Sequence, residues 1–175
     1  MRSSIRLLAL VPSVLLCLGF PPFFVAPAHC QTEPEYAAFY VVEEYDEARD
    51  PAVDLKVTVE RAQTVGKRIL LEVGGVWCGW CKLLDGFIHD HPAVSAKLDA
   101  GFLIMKVNWS RGNPNEEFLG QYPTIRGYPH IFVLEKDGTL LHSQNTGDLE
   151  EGKSYNEGAL LGFLDDWMPS KGGSR

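Results

Sequence analysis

Ile69-Leu70-Leu71-Glu72-Val73-Gly74-Gly75-Val76-Trp77-Cys78-Gly79-Trp80-Cys81-Lys82 is the stretch on which the fold turns. Its first five residues are a short apolar run closed by two glycines, which reads as a buried strand with one acid inside it. From Gly79 the apolar positions Leu84, Phe87 and Ile88 recur at helical spacing. A C-x-x-C pair therefore sits where a strand hands over to a helix, the context in which such a pair reads as redox-active. Cys78 falls at the helix start, where unpaired backbone N–H groups and the helix dipole stabilise a thiolate. Sites of this kind bring a thiol pKa to about 7 or lower, so the nucleophile is populated at neutral pH. Cys81, one turn on, can close a disulfide with Cys78 and release a bound substrate.

Other uses of the pair fit less well. A structural zinc site needs four ligands, and no second C-x-x-C exists; His89 and His91 begin eight residues after Cys81, on or just past the same helix. A c-type haem site wants histidine immediately after the second cysteine, where Lys82 stands. A purely structural disulfide closing so short a loop constrains the unfolded chain very little.

Outward from this stretch, strands and helices alternate. Asp90-His91-Pro92 ends the first helix, and Val94 and Leu98 carry a second segment. Residues 102–107 form another apolar strand. Asn113-Pro114-Asn115-Glu116 reads as an N-cap, a first-turn proline and a glutamate at N3, opening a short helix through Leu119. Residues 131–134 and 139–142 flank Asp137-Gly138 as a hairpin with a two-residue turn. Ser154 and Glu157 form a capping box for a last helix with the stripe Leu160, Leu164, Trp167 and Met168. Upstream, Val53, Leu55, Val57 and Val59 alternate with polar residues as in a strand, while Leu55, Val59 and Ala62 have helical spacing and Gly66 suits a C-cap. The period leaves both open. Residues 29–50 read as an acidic leader in which 39–42 is apolar enough for a short edge strand, and the stretch 109–126 is longer than a minimal connection.

Composition bounds the function classes. A length of 175 residues suits one ordinary domain, and 45% apolar with 22% charged residues are globular values. Sixteen basic against 23 acidic side chains, a net charge of −7, argue against a nucleic-acid binder. Four cysteines are too few for a disulfide scaffold. Arg2 and Arg6 are the only charges in the first 28 residues, ahead of a short apolar core and the small–x–small pattern Ala26-Pro27-Ala28. Residues 1–28 thus read as a signal peptide, cleaved after Ala28 or, on the second pattern Ala28-His29-Cys30, after Cys30. Removal of 1–28 takes away two arginines and Cys17, leaving 147 residues at −9. The alternative is an uncleaved membrane anchor over 7–28, disfavoured by Pro12, Pro21, Pro22 and Pro27. Lys171-Gly172-Gly173-Ser174-Arg175 is not an ER-retention signal, so the expected location is periplasmic or secreted. The folding unit is expected over 51–169, with 170–175 a flexible tail.

Trp77-Cys78-Gly79-Trp80-Cys81-Lys82 after a buried strand resembles the thioredoxin-like thiol–disulfide oxidoreductases. Glu72, six residues before Cys78, stands where those proteins hold a buried carboxylate near the second cysteine, and Gly127-Tyr128-Pro129 matches the segment carrying their cis-proline. Leu71-Glu72-Val73-Gly74-Gly75, Lys106-Val107-Asn108, Gly127-Tyr128-Pro129-His130 and Thr146-Gly147-Asp148-Leu149-Glu150 are similar to an exported bacterial subgroup, over about residues 50–168. The resemblance implies an α/β thioredoxin-like fold, a central mixed sheet flanked by helices in a single domain, and a helix rather than a strand over 53–66.

It also implies roles. Cys78 attacks and Cys81 resolves through a redox-active Cys78–Cys81 disulfide, and Glu72 moves the proton. Trp77, Gly79, Trp80, Tyr128 and Pro129 meet the substrate. Each residue has a plainer reading beside this one. Glu72 can be solvated at an edge, although burial inside a covered strand would raise its pKa. Pro129 can simply open a strand, and Trp77 and Trp80 can be packing residues. His130 and His142 lie in strand patterns as ordinary core or surface residues. Neither a cofactor nor a metal is expected. The implied partners are protein thiols and disulfides and a redox protein that resets the pair, with the chain itself a monomer. Gly79-Trp80 replaces the Gly-Pro of thioredoxin, and no histidine lies between the cysteines to stabilise Cys78, so reduction or isomerisation is favoured over strong oxidation. A thioredoxin-fold module that only holds a protein partner or a metal is the competing expectation, although such a module does not need both thiols.

Overall fold

The computed structural model describes residues 38–170. The expected signal peptide with both cleavage positions, the first part of the acidic leader and residues 171–175 of the tail lie outside the described residues. No helix among the described residues is long and apolar enough to cross a membrane.

The segment with the ambiguous period is a helix, α1 (Pro51–Val65), and its ends explain why. Asp50 accepts hydrogen bonds from the N–H groups of Ala52 and Val53, Pro51 opens the first turn, and Gly66, at φ 72°, closes the helix through its N–H to the Ala62 carbonyl. The buried face differs from the expected stripe. Val53 and Val57 are exposed, whereas Asp54 and Thr58 are buried beside Ala62. Arg49 grips the Asp54 carboxylate at 2.7 and 2.6 Å, and the Thr58 hydroxyl donates to the Asp54 carbonyl at 2.7 Å. Both polar side chains thus enter the interior already satisfied, and Leu55 and Val59 pack only partly buried against the core.

Five strands form a mixed sheet: β1 (Tyr40–Val42), β2 (Arg68–Gly74), β3 (Phe102–Asn108), β4 (His130–Leu134) and β5 (Leu140–Asn145). Their order is β1-β3-β2-β4-β5, with β1 and β2 parallel to β3, and β4 antiparallel to both β2 and β5. β2 is therefore central, and both its faces are covered. Ile69, Leu71 and Val73 join Leu103, Met105 and Phe132 in the core under α1. Leu70 faces the opposite core, built with α2 (Gly79–Asp90), α3 (Pro92–Gly101) and α5 (Glu157–Asp166) through Leu84, Ile88, Leu98 and Leu160. Each fully buried leucine of this kind contributes roughly 1.5–3 kcal/mol. The alternation of a strand puts Glu72 on the same face as Leu70, under α2.

Three local expectations are corrected. The capping box is not formed: Ser154–Tyr155 is a strand, β7, paired with β6 (Glu150–Glu151), and Asn156 caps α5 by accepting from the Ala159 N–H at 2.8 Å. The short helix α4 is Glu116–Leu119, with Asn115 rather than Asn113 at its N-cap, in the left-handed region at φ 49° and without a side-chain cap bond. Asn115 is held there by donating through Nδ2 to the Asn108 carbonyl at 2.6 Å. The hairpin turn has three residues, not two. Glu135 N–H bonds Thr139 O and Gly138 N–H bonds Glu135 O, with Gly138 at φ 89°.

Candidate active site

The central strand runs into Gly74-Gly75, and the chain turns there so that the Cys78 N–H donates to the Gly75 carbonyl at 2.9 Å. A side chain at Gly75 would not fit, since a Cβ there would lie 2.8 Å from the Trp109 carbonyl oxygen. Cys78 is the N-cap of α2, with extended backbone and its sulfur accepting from the Cys81 N–H at 3.1 Å. The two cysteines form a disulfide, S–S 2.07 Å. Of the pair only Cys78 keeps any surface, 3% against 0% for Cys81, and its neighbours Val76 and Trp77 are exposed. An incoming group meets Cys78 first.

Trp77 is fixed from behind. Its indole N–H donates to the Trp109 carbonyl at 2.8 Å, its ring meets Tyr128 and Trp109 edge-on, and Trp109 stacks on Tyr128 with centroids 5.0 Å apart. Trp109 and Tyr128 border a cleft of about 370 Å³ that the 109–126 connection lines with Leu119, Tyr122 and Ile125. Trp80 instead packs edge-on against Tyr155, whose hydroxyl donates to the Trp80 carbonyl. The Tyr128–Pro129 peptide bond is cis, and the Thr146 hydroxyl donates to the Pro129 carbonyl at 2.6 Å. His130, next in line, is buried with Nε2 2.8 Å from the Ser143 hydroxyl, and burial lowers its pKa.

Behind the disulfide lies a polar network in an apolar surround. Glu72 is 2% exposed. The Tyr45 hydroxyl donates to its Oε1 at 2.5 Å, and Lys106 faces it in register on β3. Lys106 is itself buried, with Nζ 2.7 and 2.8 Å from the two carboxylate oxygens of Asp85 and over the rings of Tyr40 and Tyr45. Burial raises the Glu72 pKa to about 7; the Lys106 charge pulls it down, Asp85 pushes it up, and the Tyr45 hydrogen bond lowers it. The Tyr45 phenol is pushed well above its usual value by burial and by the charge of Glu72.

Residues 50–136 match the family model described as thioredoxin-like. The chain carries a thioredoxin-like domain. A protein disulfide-isomerase of Ricinus communis is 36% identical over 84 residues, 47% of this chain and 15% of that protein. A thiol:disulfide interchange protein DsbD of Actinobacillus pleuropneumoniae is 27% identical over 92 residues, 52% of this chain and 16% of that protein. This chain thus spans only about a sixth of the length of those relatives. Among solved structures, a disulphide isomerase from Xylella fastidiosa Temecula1 aligns with TM-score 0.60 and 23% identity, over 70% of this chain and 94% of that one, a likeness of fold.

In this thioredoxin-like domain the expected residues Glu72, Trp77, Cys78, Gly79, Cys81, Tyr128 and Pro129 gather at one end of the sheet, while the ring of Trp80 turns to Tyr155. The sequence pattern does not mark Tyr45, Asp85 or Trp109, and it marks Lys106 only within the segment Lys106-Val107-Asn108. Lys106 had a signal: it is the one charge in an apolar strand, as Glu72 is the one acid in its own. Tyr45 and Trp109 lie in irregular chain, where no period marks them.

Proposed function

We propose that the protein is an exported thiol:disulfide oxidoreductase acting on protein substrates, through Cys78 and Cys81. The observation that carries this reading is a disulfide at the first turn of α2 with an otherwise costly carboxyl, Glu72, buried on the adjoining strand. In the reducing direction the Cys78 thiolate attacks a substrate disulfide; a Cys78–substrate bond forms and the second substrate sulfur leaves as a thiolate. Ionised Glu72 takes the Cys81 proton, and the Cys81 thiolate attacks the Cys78 sulfur. This closes the Cys78–Cys81 bond and releases the first substrate sulfur, which recovers a proton from Glu72 or water. Two electrons pass to the substrate, so a second redox protein must return them to the pair, and no bound cofactor is needed.

Tyr128, just ahead of β4, offers backbone groups for strand-like pairing with an extended substrate segment beside Pro129, while Trp77, Gly79 and Trp80 shape the surface around the sulfur. Gly79-Trp80 between the cysteines, without histidine, favours a reducing or isomerising role. With residues 1–28 read as a signal peptide, the mature protein acts as a monomer in the periplasm or outside the cell, or at the membrane if residues 7–28 are retained; of the leader 29–50, residues 40–42 join the sheet of the domain over 51–169 as β1, and 170–175 form the tail. An insulin-like disulfide substrate with reductant tests the reading. Wild type should outpace Cys78→Ser, and Cys81→Ser should accumulate a mixed disulfide at Cys78. Equal rates for wild type and Cys78→Ser would refute the enzyme, and the competing binding module would then stand.

A further inference from the structure

Residues 43–50 lie between β1 and α1 and carry mostly exposed acids, yet Tyr45 turns inward from them. The segment is pinned at both sides: the Asn113 side-chain amide donates to the Glu47 carbonyl at 2.8 Å, and Arg49 binds Asp54. Gly74 lies two residues beyond Glu72 on the same face of β2. A Cβ on Gly74 would stand 2.5 Å from the Cys81 sulfur and 2.8 Å from the Tyr45 hydroxyl. The phenol that donates to Glu72 therefore borders the same spot as the resolving sulfur, and only the missing side chain of Gly74 leaves them that room.

We infer that Tyr45 is a positioning residue for the resolving step: its hydroxyl holds the Glu72 carboxylate toward Cys81 and sets the pH above which that carboxylate can accept the Cys81 proton. This rests on the reading of Glu72 as proton acceptor. The stretch before the first helix then belongs to the active site rather than to a solvated leader. The groups that face Glu72 are Tyr45 from this stretch, Lys106 from β3, Asp85 from α2 and, at longer range, Tyr155 from β7; its neighbour on β4 is the apolar Ile131, and the Cys81 sulfur lies beside the Tyr45 hydroxyl at Gly74. Lys106, held 2.7 Å from Asp85, acts on the carboxylate through its charge, whereas Tyr45 is hydrogen-bonded to it. A donor to the ionised form favours that form, and Tyr45→Phe removes the donor alone.

The test uses the mature full-length chain, reduced and then mixed with an aromatic disulfide that yields coloured thionitrobenzoate. Stopped-flow absorbance follows the second release, which is the attack of Cys81 on the Cys78 mixed disulfide, from about pH 5.5 to 9. The wild-type acid limb is expected near pH 7, where the Glu72 carboxyl titrates. Tyr45→Phe should move it up by about one to two pH units, a slowing of roughly ten- to a hundredfold at pH 6. Tyr45→3-fluorotyrosine keeps the shape and strengthens the donor, and should move the limb down instead. Glu72→Gln should abolish the limb. A Tyr45→Phe limb that stays in place, whether or not all rates fall together, overturns the inference while a lost limb in Glu72→Gln keeps the acceptor reading. An unchanged profile in Glu72→Gln overturns the acceptor reading itself, and the inference with it.

Discussion

Replacing Glu72 by glutamine should stabilise the protein at alkaline pH and leave it almost unchanged in acid. In the native state the carboxyl titrates at about 7, because burial between Leu70 and the helices penalises its charge. In the unfolded chain it titrates near 4.3. Between those values the native protein holds a proton that the unfolded chain has lost, so stability falls as pH rises through the window. A gap of roughly 2.7 pH units at about 1.36 kcal/mol each gives about 3–4 kcal/mol by pH 8. Glutamine carries no charge, keeps the shape, and still accepts the Tyr45 hydroxyl, while Lys106 keeps Asp85. Urea unfolding of the oxidised proteins at several pH values measures the difference, which should open between about pH 4.5 and 7 and level off above. The midpoint of thermal unfolding should rise by roughly 10 °C at pH 8. A difference that does not depend on pH, or a less stable variant at pH 8, would refute the reasoning.

Lys106→Met removes the cation that pulls the Glu72 pKa down, so the acid limb of the resolving step should move to higher pH in the same stopped-flow assay. Gly74→Ala puts a methyl group against the Cys81 sulfur and the Tyr45 ring; a loss of about 1–3 kcal/mol and incomplete disulfide closure are expected, read by unfolding and by thiol titration after oxidation. Asn156→Ala should cost about 1 kcal/mol as a lost helix cap, whereas Ser154→Ala should stay within about 0.5 kcal/mol, which urea titration resolves. Trp77→Ala should raise KM for a protein substrate severalfold with little change in Tm, because half the side chain already faces solvent.

The parts of the fold legible in the sequence are those in which local pattern and burial agree. The run from Ile69 to Val73 has apolar neighbours on both faces, and the strand–helix junction at Cys78 places a cysteine where a helix needs a cap. In the 53–66 segment the period alone left strand and helix open because its valines at 53 and 57 are on the surface, while its buried positions include an aspartate and a threonine made acceptable by Arg49 and by a bond to the backbone. No period can announce that. The Ser154/Glu157 pair looked like a cap because the rule sees spacing alone; β6 and β7 claim Ser154 first, and Asn156 takes the role. In the site, Lys106 was visible as the lone charge of its strand and Glu72 as the one acid inside the apolar run 69–73, but their meeting depends on the β2–β3 register. Tyr45 and Trp109 reach the site from irregular segments 27 and 31 residues from Glu72 and Cys78, a separation that only tertiary structure closes.

Cys78 both caps α2 and carries half of the disulfide, so the first turn of that helix is written into the redox chemistry. In the reduced protein the same sulfur, as a thiolate, is a stronger acceptor for the Cys81 N–H, while the cross-link that shortened the unfolded chain is gone. The stabilities of the two forms are thereby tied in a closed cycle with the reduction potential. Every 1.4 kcal/mol by which folding favours one form over the other moves the potential by about 30 mV. Two unfolding curves, one with the disulfide and one without, measure how far the fold itself biases the direction in which electrons leave.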